Sequence, residues 1–139
     1  MTTAKFLDIH PVLPVTNMPV SIHFYTEKLG FHLLSLTPED ENMNVLNPPH
    51  PSYAVIGRDR IQLHLQSHSP DDASDQTEPL HIRFVIDDVD DLYAEYQLTS
   101  AINAEASSGM PLMDTQWGTR EFALYDPDRN GLFFYRSRK

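Results

Sequence analysis

Chemistry in this chain has to come from imidazole, carboxylate, amide and aromatic side chains, since its 139 residues include seven His, twenty Asp and Glu, one Trp and no Cys. The missing thiol excludes cysteine nucleophiles, disulfides and thiolate metal centres, so any metal must use His, carboxylate or amide ligands. Trp117 is followed by Gly118, which has no side chain to obstruct a flat ligand approaching the indole. A formal charge of −10, with only ten Lys and Arg, argues against nucleic acid, because neutralising phosphates demands a basic face. Neutral or cationic ligands fit better. His23, His32, His50 and His68 fall into no metal-ligand spacing, and Asp126-Pro127-Asp128 reads as a turn with Asx chemistry.

The elements that must position these side chains follow one grammar, used twice. Phe6 to Val15 alternates like a strand; Thr16-Asn17 supplies a helix cap; Met18, Ile22, Tyr25 and Leu29 then form an apolar stripe that stops at Gly30. Phe31 to Leu36 resumes as a strand, and Thr37 to Ser52 reads as a loop flanking a site. Tyr53 to Ile56 and Arg60 to Gln66 form a hairpin. After an apolar-poor stretch, His81 to Ile86 is again a strand, Asp87-Asp88 caps, and Val89, Leu92, Tyr93 and Tyr96 stripe a second helix. Arg120 to Tyr125 and Leu132 to Arg136 flank a turn at Asp126 to Gly131. One domain over 1–139 is expected, with a first module at about 5–66, a linker at 67–79 and a second module at about 80–137. No apolar run is long enough to span a membrane, and the N-terminal residues lack a secretory signal's apolar stretch, so a cytoplasmic location is expected.

A displacement of 71 residues sets His10 over His81, Val15 over Ile86, Asn17 over Asp88 and Tyr25 over Tyr96. The same displacement sets Gln62 over Phe133. Duplication brings equivalent residues around one axis, which predicts a quartet of His10, Gln62, His81 and Phe133. Strand periodicity points Ile61, Leu63 and Leu65 away from Gln62 and His64, and Ile82, Phe84 and Ile86 away from His81 and Arg83. The apolar set belongs under the helices; the polar set is expected to line a concave face, where it needs partners or a ligand.

Four stretches carry a family resemblance: His-Pro-Val-Leu-Pro-Val from His10, Phe-Tyr-Thr-Glu-Lys-Leu-Gly-Phe from Phe24, Ile-Asp-Asp-Val-Asp-Asp-Leu-Tyr from Ile86, and Trp-Gly-Thr-Arg-Glu-Phe-Ala-Leu-Tyr-Asp-Pro-Asp from Trp117. In order and spacing the chain resembles the vicinal oxygen chelate superfamily of glyoxalase I, extradiol dioxygenases and fosfomycin- and bleomycin-resistance proteins, and the bleomycin-resistance branch most closely. The resemblance implies an α+β fold of two tandem βαβββ modules forming a curved mixed sheet around a cleft, in a homodimer. It maps the metal ligands of the family's enzymes onto His10, Gln62, His81 and Phe133. The first three can hold a divalent metal, whereas Phe133 supplies neither a ligand nor a base. His64 is a substitute ligand and Glu121 the candidate catalytic residue.

The same resemblance implies a ligand-binding set of Trp117, Phe31, His64, Phe133 and Tyr135. The first functional expectation is sequestration of a planar, cationic small molecule in an aromatic and acidic cleft, with the loop acids Glu39, Asp40 and Glu41 attracting it. The alternatives are a divalent-metal-dependent glyoxalase-like lyase or dioxygenase, and a regulatory module with a vestigial cleft. Neither nucleic acid nor membrane is an expected partner.

Overall fold

The computed structural model describes residues 3–37, 53–68, 79–102 and 109–138. The loop acids Glu39 to Glu41 and most of the expected linker, residues 69–78, lie outside these.

The first module runs β1 (Val12–Val15), α1 (Met18–His23), β2 (His32–Thr37), β3 (Tyr53–Arg58) and β4 (Ile61–Ser67). The second runs β5 (His81–Val85), α2 (Val89–Leu98), β6 (Met110–Asp114), β7 (Thr119–Tyr125) and β8 (Gly131–Ser137). Each builds a four-stranded mixed sheet with one strand order, β1-β4-β3-β2 and β5-β8-β7-β6, in which the first and last strands of the module pair in parallel. The expected α+β architecture of two βαβββ modules is thus present, as two separate sheets.

Local chemistry explains the helix starts. The Asn17 side chain accepts from the Val20 amide with Pro19 in the first turn, and the Asp88 side chain accepts from the Asp91 amide. Beyond His23 the first helix widens into a π-helical turn, Phe24–Lys28, closed by a hydrogen bond from the Leu29 amide to the Phe24 carbonyl. Gly30 then takes φ +80°, which ends the helix. No helix among the described residues is long and apolar enough to cross a membrane.

Two sequence expectations need correction. The first strand begins at Val12, not Phe6: Pro11 has no amide proton for a ladder, the Ile9 amide is taken by the Asp8 side chain, and Phe6, Leu7 and Ile9 stand exposed. Second, the displacement of 71 does not extend to the last strands. Val12 lies opposite His64 and Arg83 opposite Phe133, so Val12 and Arg83 differ by 71 but His64 and Phe133 by 69. Phe133 therefore occupies the place of His64, and Gly131 that of Gln62.

Both sheets turn one face into a shared core. Leu13, Leu63 and Leu65 from one module and Phe84, Phe122, Leu132 and Phe134 from the other are buried, along with the helix tyrosines Tyr25 and Tyr96. The modules are also joined by polar contacts. The Tyr25 hydroxyl donates to Asp126 at 2.7 Å, the Tyr96 hydroxyl to the Leu29 carbonyl at 2.9 Å, and Arg58 pairs through two nitrogens with Glu95. The opposite sheet faces, bearing Val12, Gln62 and Gln66 in one module and His81, Arg83 and Val85 in the other, remain exposed within the single chain.

Candidate functional site

The open face of the second sheet is organised by a buried carboxylate. Glu121 lies mid-strand on β7, opposite Tyr135 on β8, and is only 1% exposed. It accepts from the Thr119 hydroxyl at 2.6 Å, from the Trp117 indole N–H at 3.0 Å, and from the two terminal nitrogens of Arg83 at 3.2 and 3.4 Å. Burial pushes its carboxyl up, but the hydrogen bonds from Thr119, Arg83 and Trp117 outweigh this and hold it below the usual range. Such a carboxylate acts as an anchor: its Oε1 gathers Thr119, Trp117 and one Arg83 nitrogen, and its Oε2 the other.

Two flat groups are fixed by that anchor. Trp117 sits in the β6–β7 turn, where Gly118 takes φ +88° and the Thr115 and Thr119 hydroxyls hydrogen-bond at 2.7 Å. Its indole is 64% exposed, so it is no core residue, while its ring N–H is tied to Glu121. The Arg83 guanidinium lies 4.4 Å from the Tyr135 ring centre and 5.7 Å from that of Phe133, and Phe133 in turn meets the His81 ring at 5.6 Å. Trp117, Arg83, Tyr135, Phe133 and His81 thus supply aromatic and guanidinium planes on or beside one face, a surface suited to stacking a flat ligand.

The first sheet's open face is built differently. His64 on β4 stacks on His10, with ring centres 5.0 Å apart, and its Nδ1 shares a 2.7 Å hydrogen bond with the Tyr53 hydroxyl; His10 Nε2 lies 3.3 Å from Asp8. Burial, followed by the neighbouring His10, pushes the His64 imidazole below its ordinary value. Gln62 shares this face and is exposed.

The predicted site residues therefore divide into two groups. Gln62 and His64 belong to the first sheet, with His10 just ahead of its first strand, and His81, Phe133, Tyr135, Glu121 and Trp117 to the second sheet or the turn before its third strand. Phe31 belongs to neither face: it is 5% exposed and packed edge-on against Tyr25. Tyr53 is absent from the expected site residues, and Arg83 is expected only as part of the polar face, with no binding role. Arg83 was detectable, two residues beyond His81 and hence on the same face, while Tyr53 carried no signal beyond strand alternation.

For a resident metal the donors do not fit. Among the described residues no group of three or more His, Asp or Glu is gathered closely enough to hold an ion. Neither Phe133, the expected fourth position, nor Gly131, which the register puts opposite His81, offers a side-chain donor, and the Glu121 carboxylate is already engaged.

Comparison with known proteins bears on the family and the fold. The family profile described as Glyoxalase/Bleomycin resistance protein/Dioxygenase superfamily matches residues 9–134. Bleomycin resistance proteins from Geobacillus stearothermophilus and Staphylococcus aureus are 26% identical over 143 aligned positions, covering 93% of this chain and 96% of theirs. The bleomycin-binding protein from bleomycin-producing Streptomyces verticillus, solved with copper(II)-bleomycin, has a TM-score of 0.68 at 26% identity, covering 95% of this chain and 97% of that one. A bleomycin resistance determinant encoded on transposon Tn5 superposes with a TM-score of 0.72 at 18% identity, covering 96% and 100%.

Proposed function

The chain belongs to the glyoxalase/bleomycin resistance protein/dioxygenase superfamily, and from that membership we propose that it sequesters a planar, cationic small molecule of the bleomycin class without altering it. The observation that carries this reading is Trp117, an exposed indole whose orientation is fixed by a buried carboxylate. A rigid, exposed aromatic plane costs little ordering entropy on stacking, which is what retention of a flat ligand requires and what catalysis does not need. The chain's formal charge of −10 adds long-range attraction for a cation, an effect that fades with salt.

On this reading the protein works in the cytoplasm as a homodimer. A second copy covers the sheet faces that one chain leaves open, turning two half-sites into clefts. Bleomycin is the probe for the test, with Trp117 as the only indole. Titration should change its fluorescence saturably, at one ligand per protomer. An unchanged spectrum together with no heat of binding in calorimetry would overturn the reading.

A further inference from the structure

The strand register relates two grooves in this molecule, of which the chain fills only one. Gly57 lies opposite Gln62 and Tyr125 opposite Gly131, so Arg58 and Asp126 follow at equivalent places, each at the head of the last hairpin turn of its module. Both reach the helix tyrosine of the other module: Asp126 accepts from Tyr25 at 2.7 Å, and Arg58 lies 3.5 Å from the Tyr96 hydroxyl.

Beyond these residues the turns differ in length by one, Pro127-Asp128-Arg129 against Asp59-Arg60. The longer turn seats Asp128 at the start of α1, where its carboxylate accepts from the Thr16 amide at 2.9 Å, the Thr16 hydroxyl at 2.7 Å and the Ser21 hydroxyl at 3.3 Å. The shorter turn makes no hydrogen bond to α2 or its cap through Asp59 or Arg60, among the described residues. It leaves a cavity of about 540 Å³ between itself, the end of β5 and the first turns of α2.

The chemistry of that cavity differs from its filled counterpart. Thr16 and Ser21, the hydroxyls that hold Asp128, correspond at a displacement of 71 to Asp87 and Leu92, both of which line the cavity. The floor is apolar, formed by Phe31, Phe84, Leu92 and Phe134, and Val85 at the wall is 74% exposed. Around it stand Asp59, Asp87, Asp88, Asp91 and Glu95 against Arg58 and Arg60, an excess of three negative charges. Arg58 is committed to Glu95, and Asp88 to the helix cap. A carboxylate of the kind seated at α1 would be repelled here, while a cation finds Asp87 and Asp91, which have no basic partner among the described residues.

We infer that this groove is a second ligand site, distinct from the Trp117, Arg83 and Tyr135 surface and meeting the open face of the second sheet only at Val85, for an organic cation joining an ammonium or guanidinium to a small apolar body. The body lies on the Phe31 and Leu92 floor, and the cation faces Asp87 and Asp91. The inference stands independently of the sheet-face reading.

The test is an amide-resolved NMR titration of the full chain with 2-phenylethylammonium, with 2-phenylethanol and phenylacetate as neutral and anionic counterparts. Saturable shifts are expected at residues 85–92 and 58–61 for the ammonium, about threefold weaker binding for the alcohol, and none for phenylacetate. Asp87→Asn with Asp91→Asn, at exposed positions that leave the core intact, should erase the preference of ammonium over alcohol. Trp117→Ala should preserve it. Equal binding of phenylacetate, shifts confined to Trp117, Arg83 and Tyr135, or shifts at 85–92 that follow protein concentration alone, as a second copy in the groove would produce, each overturn the inference.

Discussion

The two open sheet faces have the same strand order but opposite chemistry. Tyr53 and Glu121 occupy equivalent places, opposite Gln66 and Tyr135 on strands displaced by 69 residues. Tyr53 meets a titratable imidazole, His64; Glu121 gathers Arg83, Trp117 and Thr119. Where the first face has His64, the second has Phe133. The two modules share what the core needs, namely the register and the helix tyrosines Tyr25 and Tyr96, and differ in what faces outward. One face holds a histidine–tyrosine cluster, and the other an aromatic wall braced by an ion pair.

The comparison breaks most visibly where the modules meet. Asp126→Ala leaves the buried Tyr25 hydroxyl and the Asn130 amide groups without their acceptor, a loss of about 3 kcal/mol. Arg58→Ala removes a part-exposed pair with Glu95 while Tyr96 keeps its bond to Leu29, a loss of about 1 kcal/mol. Urea unfolding of the two variants should rank them in that order; equal midpoints would mean the two joints are equivalent after all.

Glu121→Ala comes next. It frees Trp117 and leaves Arg83 unpaired, so stability should fall by about 2 kcal/mol and the fluorescence anisotropy of Trp117 should drop. In the intact protein the tether contributes stability that is present above the unfolded glutamate value of about 4.3 and is lost as pH falls through the lower folded value. Acid titration of Trp117 fluorescence should therefore show its midpoint below that value. A midpoint at or above it would mean that the carboxylate is not held by these donors.

Trp117→Ala sharpens the contrast between wall and core. A buried tryptophan costs about 3–5 kcal/mol on truncation, but an indole 64% exposed should cost under about 1 kcal/mol. Affinity for a planar ligand should fall about threefold to tenfold. A large stability loss with unchanged affinity would reverse the assignment. The smallest effect belongs to His64. Its lowered value means that native stability is full above about pH 6.5 and declines as pH falls toward the folded value, which imidazole NMR should resolve; a midpoint at the ordinary value would remove the influence of burial and His10.

Much of the scaffold was legible because periodicity reports burial. The stripe Met18, Ile22, Tyr25 and Leu29 is buried as read, and the caps at Asn17 and Asp88 are in place. The two-residue slip between His64 and Phe133 was not legible, because loops of different length lie between matched strands and a single displacement cannot absorb them. The extra strand length at Phe6 to Ile9 was misread since alternation says nothing about whether a partner strand exists. At the site, residue type pointed to Trp117 and Glu121 separately. The hydrogen bond joining them, and the capture of Arg83, depend on the turn at Gly118 and on cross-strand neighbours far apart in sequence.

The central claim, retention without chemistry, is tested most directly by equilibrium dialysis of the purified protein against bleomycin, followed by mass spectrometry of the recovered ligand. The account predicts saturable retention at one molecule per protomer and recovery at unchanged mass. No retention, or a recovered product of altered mass, would contradict it.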